Sequence, residues 1–128
     1  MYLPDIELHE ARTLDEASDF LTRFSPDVRA LAGGTDLLVD LKAGRVKVRH
    51  VVSLNRLDEL RGLREDAAYF RIGALTTPNE LAASLIVRER FPALLDALHE
   101  LAAPQVRNMA TVGGNLTSAI PSADLPPI

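Results

Sequence analysis

The sequence predicts a mixed fold of the α/β (or α+β) class, and three observations lead to this prediction. Strand-like and helix-like segments alternate along the chain with short connections between them. Two of the helical segments begin with a capping box. The 128 residues, 47% of them hydrophobic, are enough to bury a core in one domain or in two small lobes. A change in composition near residues 46–55 predicts two lobes, 1–54 and 55–128.

The composition excludes several classes of protein. Lysine and arginine number 14 against 18 aspartates and glutamates, and this net charge of −4 argues against the basic face of a nucleic-acid-binding protein. No apolar run approaches the roughly 18 residues of a membrane span. Residues 1–10 do not match a secretory signal. Because cysteine is absent, the chain has no disulfide, thiolate nucleophile or cysteine-held metal cluster of its own.

The first half of the chain predicts three strands and two helices. The first helix begins at a capping box, in which the Thr13 hydroxyl accepts a backbone hydrogen bond and the Glu16 carboxylate reaches back. Its apolar residues recur at helical spacing until residues 25–27 end it. A short second helix is expected at residues 37–44. The predicted strands cover residues 5–9, 28–32 and 46–54, and the second of them is expected to be buried.

The second half predicts one strand and several short helices. A helical turn at residues 57–61 closes at Gly62, and the strand follows at residues 69–75. Thr77 and Glu80 form the second capping box, with Pro78 at the first helical position, where its missing N–H costs nothing. Helices are expected at residues 78–86 and 92–102, and an extended tail at residues 120–127.

Four of the seven glycines stand in two pairs, Gly33–Gly34 and Gly113–Gly114. Glycine lets the backbone approach a ligand closely, and successive N–H groups in such a turn form a concavity that binds anions. The second pair also has the Thr111 hydroxyl and the Asn115 amide beside it. One pair alone is more often a simple turn, whereas two suit the two anionic groups of a nucleotide diphosphate. Neither pair matches the Rossmann or P-loop glycine pattern.

The other acidic side chains give weaker indications. Asp36 would repel a phosphate, so we expect its carboxylate to turn and cap the following helix. Asp124 could accept a hydrogen bond from a ribose or ribityl hydroxyl, or could equally cap a turn. The acidic pairs at residues 58–59 and 65–66 are expected to be solvated loop charges. The charged run at residues 88–90 is expected to be the exposed end of a helix.

The three histidines, His9, His50 and His99, are far apart, and no pair has the spacing of a metal-ligand motif. They are expected to be surface or half-buried imidazoles, and no metal ligand is predicted, although a site assembled by folding stays open. No arrangement of residues indicates nucleophilic or acid–base catalysis, so no catalytic residue is predicted. Any redox chemistry must therefore be carried by a cofactor.

Three segments together resemble one protein family: residues 32–37 (Ala-Gly-Gly-Thr-Asp-Leu), 111–116 (Thr-Val-Gly-Gly-Asn-Leu) and 122–127 (Ser-Ala-Asp-Leu-Pro-Pro). They are similar to the FAD-binding medium subunits of the molybdenum hydroxylases, such as those of xanthine dehydrogenase, carbon monoxide dehydrogenase and 4-hydroxybenzoyl-CoA reductase. The resemblance implies an N-terminal portion of such a subunit. It also implies the vanillyl-alcohol-oxidase-type fold, in which two small lobes hold FAD, with the second lobe incomplete here.

The resemblance implies an FAD-binding role for both Gly-Gly segments, which contact the diphosphate and neighbouring atoms in that family. Leu101 matches the position of an apolar contact and Asp124 that of an aspartate contacting the cofactor. The implied FAD-binding residues are Ala30, Leu31, Ala32, Gly33, Gly34, Thr35, Asp36, Leu37, Leu101, Thr111, Val112, Gly113, Gly114, Asn115 and Asp124.

By the same resemblance, the chain is expected to be the electron-transfer flavoprotein subunit of a cytoplasmic, heteromeric molybdenum oxidoreductase. Its FAD would pass electrons between iron–sulfur clusters of a small partner subunit and an external redox partner. A large partner subunit would hold the molybdenum cofactor and the substrate. Neither a nucleic acid nor a membrane is expected as a partner. The alternative is a non-catalytic nucleotide-binding or scaffolding module.

Overall fold

The computed structural model of the chain describes residues 2–101 and 103–118. Helices and strands both occur in these residues, which confirms the predicted mixed fold. The chain divides into two compact units, the first ending at Asp58 and the second beginning at Glu59. The two lobes of residues 1–54 and 55–128 stay a prediction. No helix in the described ranges is both long and apolar enough to cross a membrane.

The first unit is built on a three-stranded parallel sheet. The central strand is β3, and its first residue, His50, lies opposite both Glu7 and Val28. All three strands are shorter than predicted, and β3 begins only at His50. The strands are β1 (Glu7–Glu10), β2 (Val28–Leu31) and β3 (His50–Ser53), with helix α1 (Leu14–Phe24) between the first two and α2 (Leu37–Lys42) between the last two.

Successive residues of β3 pack on opposite faces of the sheet. Val51 joins an apolar cluster with Leu41 of α2, while the His50 ring stacks on Phe24 of α1 on the other face. Val51 and Val52 have no exposed surface, because β3 has a strand on each side and a helix over each face. The edge strand β2 is different. Only its first residue is buried, so the prediction of a buried strand is wrong there.

The two helices of this unit begin differently. The Thr13 hydroxyl accepts from the Glu16 N–H at 3.0 Å, which confirms the predicted cap of α1. The Glu16 carboxylate accepts from the Arg12 N–H rather than from that of Thr13, so the predicted capping box is not closed. Asp36 occupies the N-cap position of α2 but makes no capping hydrogen bond, so that prediction is wrong. The reason lies in the backbone. Asp36 has helical angles (φ −98°, ψ −51°), whereas the capping Thr13 is extended.

An ion pair joins the end of α1 to the start of β3. The Asp27 carboxylate accepts from Nε of Arg49 at 2.6 Å and from the Arg49 backbone N–H at 2.9 Å. These hydrogen bonds, the side-chain one first, hold the pKa of Asp27 below its ordinary value. Both side chains reach solvent, so the ion pair contributes little to the free energy of unfolding and acts mainly on the local geometry.

The second unit contains an antiparallel hairpin and a series of short helices. A 3₁₀ turn (Asp58–Leu60) and the positive φ of Gly62 confirm the predicted turn before it. The first strand of the hairpin was not predicted. The elements are β4 (Leu63–Glu65), β5 (Phe70–Ile72), α3 (Pro78–Ala82), α4 (Leu85–Arg90), α5 (Pro92–Glu100), α6 (Pro104–Met109) and α7 (Val112–Ser118).

The acidic residues at the hairpin turn are not simply solvated, which corrects the prediction for residues 65–66. The Asp66 carboxylate accepts from the backbone N–H groups of Ala68 and Tyr69 and from Arg71, and these bonds lower its pKa. Glu65 forms an ion pair with Arg90 at the end of α4. This ion pair connects the hairpin to α4, a contact that the sequence did not predict.

The predicted helix at residues 78–86 is two helices. The capping box of Thr77 and Glu80 is present with both of its hydrogen bonds, as predicted. Helix α3 nevertheless ends at Ala82, because Ser84 has an extended backbone, and α4 starts at Leu85. The charged residues 88–90 form the exposed last turn of α4, which confirms the prediction for them.

Helix α7 occupies the segment that was expected to be a loop around the second Gly-Gly pair. The Thr111 hydroxyl accepts from the Gly114 N–H at 3.1 Å and caps the helix. The Gly113 N–H donates to the Ala74 carbonyl at 2.8 Å, and a Cβ on Gly113 would lie 2.9 Å from that oxygen. Glycine is therefore required at this position for close backbone packing.

The core of the second unit should be sensitive to cavity formation at Leu98. This side chain has no exposed surface and packs with Leu81, Val87 and Leu101. We expect Leu98→Ala to lower the free energy of unfolding by about 2–5 kcal/mol in urea titrations of the full chain. The control is Leu85→Ala, whose side chain is 69% exposed and whose loss should cost less than about 0.5 kcal/mol. Equal effects would contradict the assigned core.

The cap of α7 gives a second test. Thr111→Val keeps the shape of the side chain but leaves the Gly114 N–H without its acceptor, so we expect unfolding to become easier by about 0.5–2 kcal/mol. Thr117→Val in the same helix is the control, because its exposed hydroxyl bonds only to helix carbonyls. Both are measured by urea denaturation. A Thr111 variant as stable as the control would show that the hydroxyl does not cap.

Candidate functional site

The first Gly-Gly pair lies where the chain leaves β2 and enters α2. Leu31 is the last residue of β2, and the Leu38 N–H of α2 donates back to the Gly34 carbonyl at 3.1 Å. Gly34 has a φ of +75°, in the left-handed region, and a Cβ there would lie 3.0 Å from carbons of both Leu31 and Leu38. The backbone angle thus favours glycine, and a Cβ would in addition make these leucine side chains shift by a few tenths of an ångström.

The backbone N–H groups of this segment are unpaired. Residues 32–37 donate no hydrogen bond to any residue in the described part of the chain. All of them except Asp36 are half-buried, so their N–H groups are partly shielded from water. Such groups require an acceptor, and a run of them at a glycine turn is suited to an anion. We refer to residues 32–37 as the donor loop.

The second Gly-Gly pair has no comparable set of donors. Every N–H group at the start of α7 is bonded within the protein, so the expected second set of unpaired donors is not found. The bonds run from Val112 to the Thr76 carbonyl (2.9 Å), from Gly113 to the Ala74 carbonyl (2.8 Å), from Gly114 to the Thr111 hydroxyl (3.1 Å) and from Asn115 to the Thr111 carbonyl (2.9 Å). An FAD-binding role for Thr111–Asn115 stays a prediction.

The remaining predicted FAD-binding residues are spread over the chain. Ala30 and Leu31 belong to β2 and carry the donor loop at its carboxyl end. Leu101 is only 3% exposed and packs in the core of the second unit, which accounts for its apolar character without a ligand. Asp124 lies outside the described residues. The donor loop belongs to the first unit and Thr111–Asn115 to the second.

Sequence reasoning missed a cluster formed by Glu7, His9 and His50. One ligand atom of each lies within 4.8 Å of the others, although 41 residues separate the two histidines. Both imidazoles are half-buried, as expected. The signal that could have revealed the cluster is strand alternation, which places Glu7 and His9 on the same face of one strand. Their pairing with His50 depends on a register that the sequence does not show.

Comparison with known proteins identifies the family. Residues 4–128 match the family model described as the FAD binding domain in molybdopterin dehydrogenase. The carbon monoxide dehydrogenase medium chain of Hydrogenophaga pseudoflava is 39% identical over 126 residues, which are 98% of this chain and 44% of that protein. The xanthine dehydrogenase FAD-binding subunit of Escherichia coli O157:H7 is 42% identical over 118 residues, covering 91% and 40% of the two chains.

Comparison with solved structures points to the same family. Carbon monoxide dehydrogenase of Hydrogenophaga pseudoflava, lacking the Mo-pyranopterin moiety, matches with a TM-score of 0.87 and 40% identity over 91% of this chain and 40% of that one. Reconstituted CO dehydrogenase of Oligotropha carboxidovorans matches with a TM-score of 0.94 and 32% identity over 98% and 44%. The chain therefore spans about two fifths of the length of its relatives. The resemblance seen in the sequence is confirmed, and the chain belongs to the family of FAD-binding domains of molybdopterin dehydrogenases.

Proposed function

We propose that this chain holds FAD as part of the electron-transfer subunit of a molybdenum-containing oxidoreductase. The observation that carries the proposal is the donor loop, whose unpaired N–H groups follow a parallel strand in a chain of this family. Ligands of open α/β sheets bind beyond the carboxyl ends of the strands, and the donor loop lies at that edge.

The donor loop fits a diphosphate. Each N–H group bonded to a phosphate oxygen contributes about 1.5–3 kcal/mol, because one partner is charged. Gly34 permits the left-handed turn, with a φ of +75°, that leaves the N–H groups of the loop without an acceptor in the protein. The Asp36 carboxylate is exposed and does not cap α2. We assign it to a hydroxyl of the cofactor, since it would repel a phosphate oxygen.

The segment Thr111–Asn115 contributes in a different way. Since its backbone N–H groups are already bonded, its contact with FAD would use the nearly side-chain-free surface at Gly114 and the polar side chain of Asn115. The Thr111 hydroxyl accepts from Gly114, and its own hydrogen stays available as a donor. Leu101 and Asp124 complete the set that the family resemblance implies.

FAD, when bound, supplies the electron-transfer chemistry that no side chain of this sequence has. This chain's own residues bind the diphosphate, orient the cofactor and exclude water from the half-buried donor loop. We place the chain in the cytoplasm with two partners, a small iron–sulfur subunit and a large molybdopterin subunit. Relatives named as medium chains or FAD-binding subunits support this assembly.

A matched pair of glycine substitutions tests the donor loop. Gly34 and Gly44 both have a positive φ, +75° and +70°, so alanine strains both by about 1–2 kcal/mol. A Cβ at Gly44 meets nothing within 4 Å, whereas one at Gly34 displaces Leu31 and Leu38. In the protein purified with its partners, we expect Gly34→Ala to weaken FAD binding about 10- to 100-fold, equal to one lost N–H···phosphate contact. Gly44→Ala should keep its flavin.

Flavin absorption gives the readout for both parts of the proposal. Equal FAD affinity in the two variants would contradict the assignment of the donor loop. Flavin bands that bleach when the complex receives its reducing substrate would support electron transfer. Bound flavin that stays oxidised under these conditions would favour the non-catalytic module instead, and a colourless complex would overturn the proposal as a whole.

A further inference from the structure

A group of metal-ligating side chains lies at the amino-terminal end of the parallel sheet. Glu7 and His50 are the first residues of β1 and β3 and lie opposite each other in the register. His9 follows Glu7 by two residues and therefore points to the same face of β1. The three side chains come from two hydrogen-bonded strands, so their backbone positions are fixed before any ion binds.

The distances between the ligand atoms fit a single tetrahedral ion. His9 Nε2 lies 3.2 Å from His50 Nδ1. The Glu7 carboxylate oxygens lie 3.6 Å from His50 Nδ1 and 4.0 Å from His9 Nε2. Ligands at 2.0–2.1 Å from a tetrahedral zinc ion are separated by about 3.3–3.4 Å. The imidazole pair is already close to this spacing, and the exposed Glu7 carboxylate would have to approach His9 Nε2 by about half an ångström to act as the third ligand.

Aromatic rings hold both imidazoles in place. The His50 ring stacks on Phe24 with a centroid distance of 3.9 Å, and the His9 ring lies 4.8 Å from both Phe20 and Phe24. The histidine side chains are 12% and 16% exposed, whereas Glu7 is 68% exposed. The cluster thus has two histidine ligands packed against aromatic rings and one carboxylate on the side open to solvent.

We propose that Glu7, His9 and His50 form a binding site for a divalent transition-metal ion, with Zn²⁺ as the best match. Two imidazole nitrogens and one carboxylate oxygen are a ligand set that Zn²⁺ accepts, and water completes the fourth position from the open side. Without an ion, one ring nitrogen donates to the other. With an ion, both nitrogens present lone pairs, and each neutral ring carries its proton on its other nitrogen.

The charges around the cluster are compatible with a cation. The guanidinium nearest in sequence, that of Arg49, is held by the Asp27 carboxylate at 2.6 Å. The Arg23 guanidinium lies over the Phe24 ring, 6.0 Å from its centroid. The cluster is at the amino ends of the strands and the donor loop follows the carboxyl end of β2, so the two sites are separate.

Zinc titration of the metal-free protein tests the site. The preparation is the whole protein without a histidine tag, treated with a chelator and titrated with ZnSO₄ in a calorimeter. We expect one Zn²⁺ to bind through this site, and His9→Gln or His50→Gln to weaken that binding by more than tenfold, since even outer-shell partners contribute about 10- to 100-fold. The matched control is His99→Gln, which removes the histidine of α5 and should leave the affinity unchanged.

The zinc absorption edge of the wild-type protein gives a measurement that needs no variant to fold. The X-ray absorption fine structure at this edge should show two imidazole ligands on the tightly bound ion. A spectrum with one imidazole ligand or with no imidazole ligand would overturn the proposal. Loss of tight binding in His99→Gln, retention of it in His50→Gln, or the absence of a tight site in the wild type would also overturn it. Flavin content should be the same in all three histidine variants, so failure of this proposal is distinguishable from failure of the FAD assignment.

Discussion

The backbone of β3 is the constraint on which the first unit depends. Its four residues pair with β1 on one side and with β2 on the other, so its register fixes both neighbours at once. Because side chains alternate, a slip by one residue would turn Val51 away from the α2 cluster and His50 away from Phe24. The same register brings Leu31 level with Ser53, where the Leu54 N–H bonds the Leu31 carbonyl, and this sets where the donor loop starts.

The two Gly-Gly pairs show that one sequence pattern can have two physical meanings. At Gly34 the glycine permits a left-handed turn and leaves the surrounding N–H groups unpaired. At Gly113 the glycine permits contact with the Ala74 backbone, and the N–H groups bond inside the protein. The family resemblance implies FAD binding for both segments. Unpaired donors are found only in the first, so an FAD-binding role of the second would have to rest on its surface and its polar side chains.

What the sequence predicts correctly is mostly local. Thr13 and Thr77 cap their helices because cap and partner are three residues apart. The capping role of Thr111 was not predicted, because the third residue after it is glycine and not glutamate. The two glycines also disfavour a helix by about 1 kcal/mol each. The hydrogen bonds from Val112 and Gly113 to the carbonyls of Thr76 and Ala74 offset that cost. The contact between His9 and His50 could not be predicted from the sequence for a different reason, because it depends on the register of two strands whose histidines are 41 residues apart.

The topology separates the two proposed sites along one small sheet. Unpaired N–H groups gather beyond the carboxyl end of β2, while the imidazoles and Glu7 gather at the amino ends of β1 and β3. A four-residue strand spans about 10 Å, so the two groups are separated by roughly the length of the strand. A divalent ion at the amino ends would act mechanically at that end of the sheet, because it would clamp the edge strand β1 to the central strand β3.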